Sequence, residues 1–230
     1  MSAARRPSAP IPPAWLHALQ GRFLVFEGPD GSGKSTQLRR LESMLRDAGV
    51  PCIAVREPGG TAAGEAIREV LLDHRQADMD VRCEMLLYMA SRAQLVAERI
   101  APALAQGQVV LADRFVASTL AYQGAAGGLR EADILAVARV VTHGCKPHAE
   151  PDLNLVFDVD EATAAARLGL LLDRMEAKGA AFHARVRRGY LDLVARHPDR
   201  YARIDAVGSE QAVFDRVLAE LQSRFADADA

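Results

Sequence analysis

Residues Gly28 to Ser35 read GPDGSGKS, a full G-x-x-x-x-G-K-[ST] pattern. Its residue types suit one task, holding phosphate. Across Gly28, Pro29, Asp30, Gly31, Ser32 and Gly33 the glycines let the backbone curl, so that successive N–H groups converge on phosphate oxygens at a helix N-terminus. Lys34 is placed to reach the β/γ-phosphates of a nucleoside triphosphate, the Ser35 hydroxyl can ligate Mg²⁺, and Thr36 opens the helix that follows. A tight turn at a helix start is the bland alternative. Its neighbours argue against it. Arg22–Glu27 is apolar enough for a buried strand, and Thr36–Ala48 carries Leu38, Leu41 and Leu45 at helical spacing before Gly49. Strand, glycine loop and helix are the context in which this pattern binds a nucleoside triphosphate with Mg²⁺.

Further charged groups fall at other strand ends. Asp113 follows the apolar Val109–Ala112, where a carboxylate could hold Mg²⁺ through water; an ordinary turn aspartate is the alternative. Next to it, Arg114 offers a planar fork that meets two phosphate oxygens at once. Asp30 is odd on electrostatic grounds, since it repels phosphates unless a metal or an acceptor's hydroxyl lies near. Tyr88 and Arg92 are four residues apart and share one helix face. They could grip one planar ring together; from the residues alone, a core tyrosine and a surface arginine are the favoured alternative.

The elements that must position these groups alternate as strand and helix, the pattern of a parallel sheet wrapped by helices. After the first strand, the pattern predicts strands at Pro51–Arg56, Gln108–Arg114, Asp152–Phe157 and Tyr201–Ile204. Helices are predicted over Ala62–Leu72, Val81–Ala105, from Val116, over Arg130–Val141, up to about Arg196, and over Glu210–Phe225, with a glycine-rich break at Gln123–Gly128. Ligands of such sheets bind at the C-terminal strand ends, where Glu27/Gly28, Arg56/Glu57 and Asp113/Arg114 fall.

A length of 230 residues fits one domain, and a net charge of −2 argues against a general nucleic-acid or membrane-surface binder. Cys52, Cys83 and Cys145 lack metal or disulfide spacing; Cys52 and Cys83 lie in apolar segments and read as buried thiols. No apolar stretch approaches the ~20 residues of a membrane span. These features predict a soluble protein of a reducing compartment, the cytoplasm. The first 20 residues, beginning with the Pro-, Ala- and Arg-rich Met1–Pro13, are expected to be a disordered extension of a single domain over 21–230, with a transit peptide as the weaker alternative.

Over about Gly21–Phe225 the chain resembles the thymidylate kinases. The phosphate loop with Asp30, the Arg56-Glu-Pro-Gly-Gly-Thr61 loop, Ser91-Arg-Ala-Gln94, Asp113-Arg-Phe115 with Ser118-Thr-Leu-Ala-Tyr-Gln-Gly124, and Asp173-Arg-Met-Glu176 occur in that family's order. The resemblance implies an α/β P-loop NTPase fold, with a five-stranded parallel sheet flanked by helices and a lid at about 161–178. It implies phosphorylation of dTMP to dTDP by ATP and Mg²⁺ in dTTP synthesis for DNA replication. By the same resemblance Lys34 and Ser35 hold ATP phosphates and Mg²⁺, Arg114 bridges donor and acceptor phosphates, and Asp30 lies near the sugar 3′-hydroxyl. Tyr88 stacks on thymine, Arg92 donates to its O4, and Thr119 lies near its N3. Tyr122 packs beneath the deoxyribose, while Glu57, Pro58, Ser118 and Gln123 complete the acceptor pocket. A homodimer through parts of Val81–Ala105 and Arg130–Val141 is also implied.

Relatives lacking an arginine in the phosphate loop usually carry several in the lid. Here Ala166–Glu176 supplies Arg167 and Arg174 around an apolar Leu168–Leu172. Arg174, alone or with Arg167, is expected to neutralise the transferred charge, with Arg185, Arg187 and Arg188 either a substitute or a solvated helix face. A kinase of the same fold for another nucleotide or nucleoside, and a nucleotide-binding protein with weak or lost catalysis owing to this arginine-poor lid, are the alternatives.

Overall fold

The computed structural model describes residues 13–143, 148–167 and 174–226. Strands β1 (Phe23–Glu27), β2 (Cys52–Arg56), β3 (Val109–Asp113), β4 (Leu153–Asp158) and β5 (Tyr201–Asp205) form one parallel sheet in the order β2-β3-β1-β4-β5. Central β1 and its neighbour β4 are buried along their whole length, while edge strand β5 alternates. Near-continuous apolar sequence is what a strand covered on both faces requires.

Successive residues of β1 supply opposite faces of the sheet. Leu24 and Phe26 pack with Leu38, Leu41 and Leu45 of α1 (Lys34–Asp47) and with Val213, Val217 and Leu221 of the last helix. Phe23 and Val25 pack with Leu95, Val96 and Ile100 on the other side. There α2 (Ala62–Leu72) precedes α3 (Val81–Leu95), which passes through one π-helical stretch at Val96–Ile100 into α4 (Ala101–Ala105). After β3, α5 (Val116–Thr119) leads to α6 (Glu131–His143); α7 (Glu161–Arg167) and α8 (Ala180–Arg196) follow β4, and α9 (Glu210–Phe225) comes last. No helix among the described residues is long and apolar enough to cross a membrane.

Four expectations need correction or restriction. The predicted break at Gln123–Gly128 comes later than expected: α5 runs on as a π-helix over Leu120–Ala126, and the chain leaves the helix at Gly127 and Gly128, the latter at positive φ. Small residues serve close packing here, since a Cβ added at Gly124 would meet Ile134 Cδ1 at 3.2 Å. The extension over residues 1–20 is not unstructured throughout, because Ala14–Leu19 forms a 3₁₀ turn whose Leu16 and Leu19 are fully buried in the core. Cys83 is exposed on α3, whereas Cys52 is half-buried and burial raises its thiol pKa. Cys145 and the apolar run Leu168–Leu172 lie outside the described residues.

Candidate active site

The phosphate loop joins β1 to α1 as the spacing requires. Gly28, Gly31 and Gly33 all have positive φ, and close approaches at two of them exclude side chains. A Cβ on Gly28 would lie 2.6 Å from Phe157 O of β4, and one on Gly31 would collide with Ala164 O of α7. The loop is thus clamped between the buried strand β4 and helix α7. Lys34 is 5% exposed, and its Nζ lies 3.3 Å from Asp30 Oδ1 and 4.0 Å from Asp113 Oδ1.

Register carries the third strand end into the same crevice, since Phe26 of β1 is paired with Asp113 of β3. Asp113 accepts a hydrogen bond from the Ser35 hydroxyl. A hydroxyl and a carboxylate are hard oxygen donors and fit Mg²⁺. Among the described residues no three His, Cys, Asp or Glu side chains cluster to hold a metal. The remaining ligands of an ion here would therefore be phosphate oxygens and water, the usual arrangement for Mg²⁺ in triphosphate sites.

Arg114 is the sole non-glycine residue with positive φ among those described, at +73°. Such backbone strain costs roughly 1–3 kcal/mol and persists only where surrounding contacts impose it. Here they do. The Arg114 N–H donates to Phe26 O at 3.0 Å, and the guanidinium donates to Asp30 Oδ1 (2.6 Å), Ser118 Oγ (3.2 Å), Tyr190 Oη (3.3 Å) and Tyr122 Oη (3.4 Å). Behind it, buried Glu27 accepts from Phe115 N, Ser118 N, Ser118 Oγ and Tyr190 Oη at 2.6–3.2 Å. Burial raises the Glu27 pKa, partly offset by Ser118 and Arg114. For Asp30, burial alone would raise the carboxyl pKa, but Arg114 and Lys34 together hold it well below the usual carboxylate range.

Two clefts meet at Asp30, which lines both. One, of about 530 Å³, runs along Gly31–Gln37 and is bordered by Arg167, Glu176 and Gly208. The other is lined by Glu57, Pro58, Arg68, Tyr88, Arg114, Ser118, Thr119, Tyr122, Gln123 and Met175. Every residue predicted for the acceptor pocket is in that lining except Arg92, which stands behind it, 1% exposed. Arg92 donates to Glu57 Oε2 (2.7 Å), Phe115 O (2.9 Å) and Thr119 Oγ1 (3.2 Å), so it backs the wall and does not form it. Burial pushes the Glu57 pKa up to about 7 against the pull of Arg92. The loop carrying Glu57 is held by Ser91, whose Oγ accepts from Gly59 N at 3.0 Å, and by Thr61, which caps α2.

Arg174 is not at the phosphates. It is buried between α2 and α3, donating from Nε to Leu71 O (2.7 Å) and ion-paired through Nη2 with Glu84 Oε2 (2.7 Å). A buried carboxylate needs a cation, and that demand fixes the arginine there. Arg167, whose Nη1 donates to Ala206 O at 3.2 Å, borders the phosphate cleft instead. None of Arg185, Arg187 and Arg188 lines it; Arg187 pairs with Asp158.

Sequence reasoning misses Arg68 and Tyr190. Arg68 donates to Pro58 O at 3.0 Å, and its position two turns into α2 is a usable signal once the loop is recognised. Tyr190 arrives from α8, 163 positions beyond Glu27, with no local signature.

The family model for thymidylate kinase matches residues 26–217. The thymidylate kinase of Pelotomaculum thermopropionicum is 46% identical over 203 residues, covering 87% of this chain and 92% of its own. That of Deinococcus radiodurans is 44% identical over 208 residues, covering 89% and 98%. The crystal structure of thymidylate kinase from Ehrlichia chaffeensis superposes with a TM-score of 0.69 at 30% identity, covering 87% of this chain and 98% of that one.

Proposed function

This chain belongs to the thymidylate kinase family, and from that premise we propose that it transfers the γ-phosphoryl group of ATP to dTMP, giving ADP and dTDP, through the residues gathered at Asp30. The observation that carries the reading is the junction itself. Asp30 lines both clefts and pairs with Lys34 on the phosphate-loop side and Arg114 on the acceptor side. A donor and an acceptor phosphate brought to that junction would meet between two cations. Phosphoryl transfer needs this more than it needs a base, because the acceptor oxygen is already ionised and the transition state spreads negative charge over the transferred group.

Within this reading the backbone of Gly28–Thr36 and Lys34 bind the ATP phosphates. Ser35 and Asp113 would hold Mg²⁺, which when bound neutralises phosphate charge. Arg114, stiffened by Ser118, Tyr122 and Tyr190, orients the acceptor phosphate, and Asp30 keeps both cations aimed at the junction while accepting from the sugar 3′-hydroxyl. Tyr88 and Tyr122 supply the aromatic wall for base and sugar. Thr119, whose oxygen accepts from Arg92, is left with its own O–H to donate to the base, and Gln123 lies one helical step further along. Arg92 therefore acts on the base through Thr119 and Glu57. Arg167 is the lid cation of the phosphate cleft, with Arg174 holding the lid's return. No observation favours the reading with weak or lost catalysis.

A cytoplasmic homodimer is part of the same proposal. Leu86 on α3 and Val140 on α6 are exposed large apolar side chains on the two helices expected to pair. The activity is tested by ADP release with ATP and Mg²⁺, offering dTMP, dUMP, dCMP, dGMP and dAMP separately, with Lys34→Ala as control. Turnover preferring dTMP and abolished in the control is expected; turnover of another acceptor alone would overturn the base-pocket assignments.

A further inference from the structure

Glu84, in the first turn of α3, is 1% exposed and is not part of the acceptor cleft. Its carboxylate gathers groups from separate segments of the chain. Oε1 accepts from Gln123 Nε2 (2.8 Å) and from Lys178 Nζ (3.1 Å). Oε2 accepts from Lys178 Nζ (2.9 Å) and is ion-paired with Arg174 Nη2 (2.7 Å). Beyond charge balance, this has a chemical consequence for Gln123. A side-chain amide has a donating and an accepting end, and what lies behind it decides which end faces forward. A carboxylate between two cations is ionised and can only accept. The Gln123 nitrogen must therefore point back at Glu84, which leaves the amide oxygen to face the cleft that Gln123 lines.

We propose that Glu84 is a positioning residue for base selectivity: by holding the Gln123 nitrogen, it presents the Gln123 carbonyl oxygen to the acceptor cleft as a fixed hydrogen-bond acceptor. The inference rests on the dTMP reading above. Thymine and uracil carry an N3–H beside a carbonyl. They meet the Gln123 oxygen with a donor and the Thr119 O–H with an acceptor. Cytosine presents an N3 lone pair beside an amino group, the reverse order, and would set acceptor against acceptor. Two buried ions behind the wall thus fix the pair: Arg92 takes the Thr119 lone pair and Glu84 takes the Gln123 nitrogen. Sites built to hydrogen-bond one pattern reject the reversed one strongly, because a buried polar group is left unpaired.

The test is Glu84→Gln, with kcat/KM measured for dTMP, dUMP and dCMP. The introduced amide can turn either of its ends toward Gln123, so the Gln123 amide is free to flip. The dTMP/dCMP ratio is expected to fall at least tenfold, while dTMP/dUMP, which compares two bases with the same edge, stays within twofold. Glu84→Asp keeps a carboxylate that can only accept and is expected to retain the wild-type dTMP/dCMP ratio even where total activity drops. Equal losses on all three acceptors in Glu84→Gln would make Glu84 merely structural and overturn the proposal. Should Glu84→Gln not fold, the wild-type enzyme decides with N3-methyl-dTMP, which has no N3–H. A kcat/KM at least tenfold below that of dTMP is expected, and equal turnover overturns the proposal. A wild-type enzyme inactive on dTMP would instead sink the functional reading itself, so the two failures are distinguishable.

Discussion

Glu57 provides a pH dependence whose sign and size follow from its surroundings. It is 5% exposed, Oε2 is paired with Arg92, and Oε1 is buried without a partner among the described residues. Burial, opposed by Arg92, raises its pKa from 4.5 to about 7. An unfolded chain ionises this group near its ordinary value, so between those two pH values the folded state holds a proton that the unfolded state has released. The stability this gives is complete below the unfolded pKa and is lost as pH rises through the folded one. At ~1.4 kcal/mol per pH unit the window is worth about 3 kcal/mol, most of it lost between about pH 5 and pH 8. Glu57→Gln has the same shape and no proton to lose. Urea unfolding of both proteins at about pH 5, 6, 7 and 8 should show wild type losing stability relative to the variant across that range. In melting temperature, the divergence amounts to roughly 6–12 °C for a chain of this size. Parallel pH curves for the two proteins would refute the reasoning, because Arg92 would then be keeping Glu57 ionised throughout.

Other consequences concern the junction, the lid and the core. Asp30→Asn removes the carboxylate shared by Lys34 and Arg114, and steady-state kinetics should show kcat/KM for dTMP falling by roughly two orders of magnitude, with a lower melting temperature because both cations lose their shared partner. Arg167→Ala should raise KM for ATP or lower kcat by about tenfold or more, through lost phosphate neutralisation, while leaving stability unchanged. Arg174→Ala should do the converse in thermal melts, costing about 3 kcal/mol because Glu84 is left buried with one cation fewer. Leu16→Ala should destabilise by about 2–5 kcal/mol in denaturant titration, which an N-terminal segment lying outside the domain would not do.

What the sequence made legible was whatever is written in short, contiguous runs. The strand, loop and helix around Gly28–Ser35 lie within a few tens of residues and obey local rules, so their elements and the placing of Lys34 and Ser35 could be read directly. Asp113 and Arg114 were equally readable, because a charge closing an apolar strand declares which end of the sheet it faces. The failures share a different cause. Arg174 and Arg167 both fall in the segment expected to form a lid, and only the third dimension separates them. One meets Glu84, far back in the chain, and the other borders the phosphate cleft. The family resemblance makes Arg92 a base-contacting cation, while its residues alone favour a surface position; the buried Glu57 on another loop instead draws it behind the wall. Gly124 looked like a turn because glycine breaks helices locally, whereas Ile134 needs the space its missing side chain leaves. In each case a buried partner elsewhere in the chain outweighed the local preference. A buried charge demands its counter-charge at several kcal/mol, against tenths for local propensity, so such partners decide where a side chain ends up. The same ranking explains how two buried ions outside the cleft lining, Arg92 and Glu84, would set what Thr119 and Gln123 offer to a base under the proposal above.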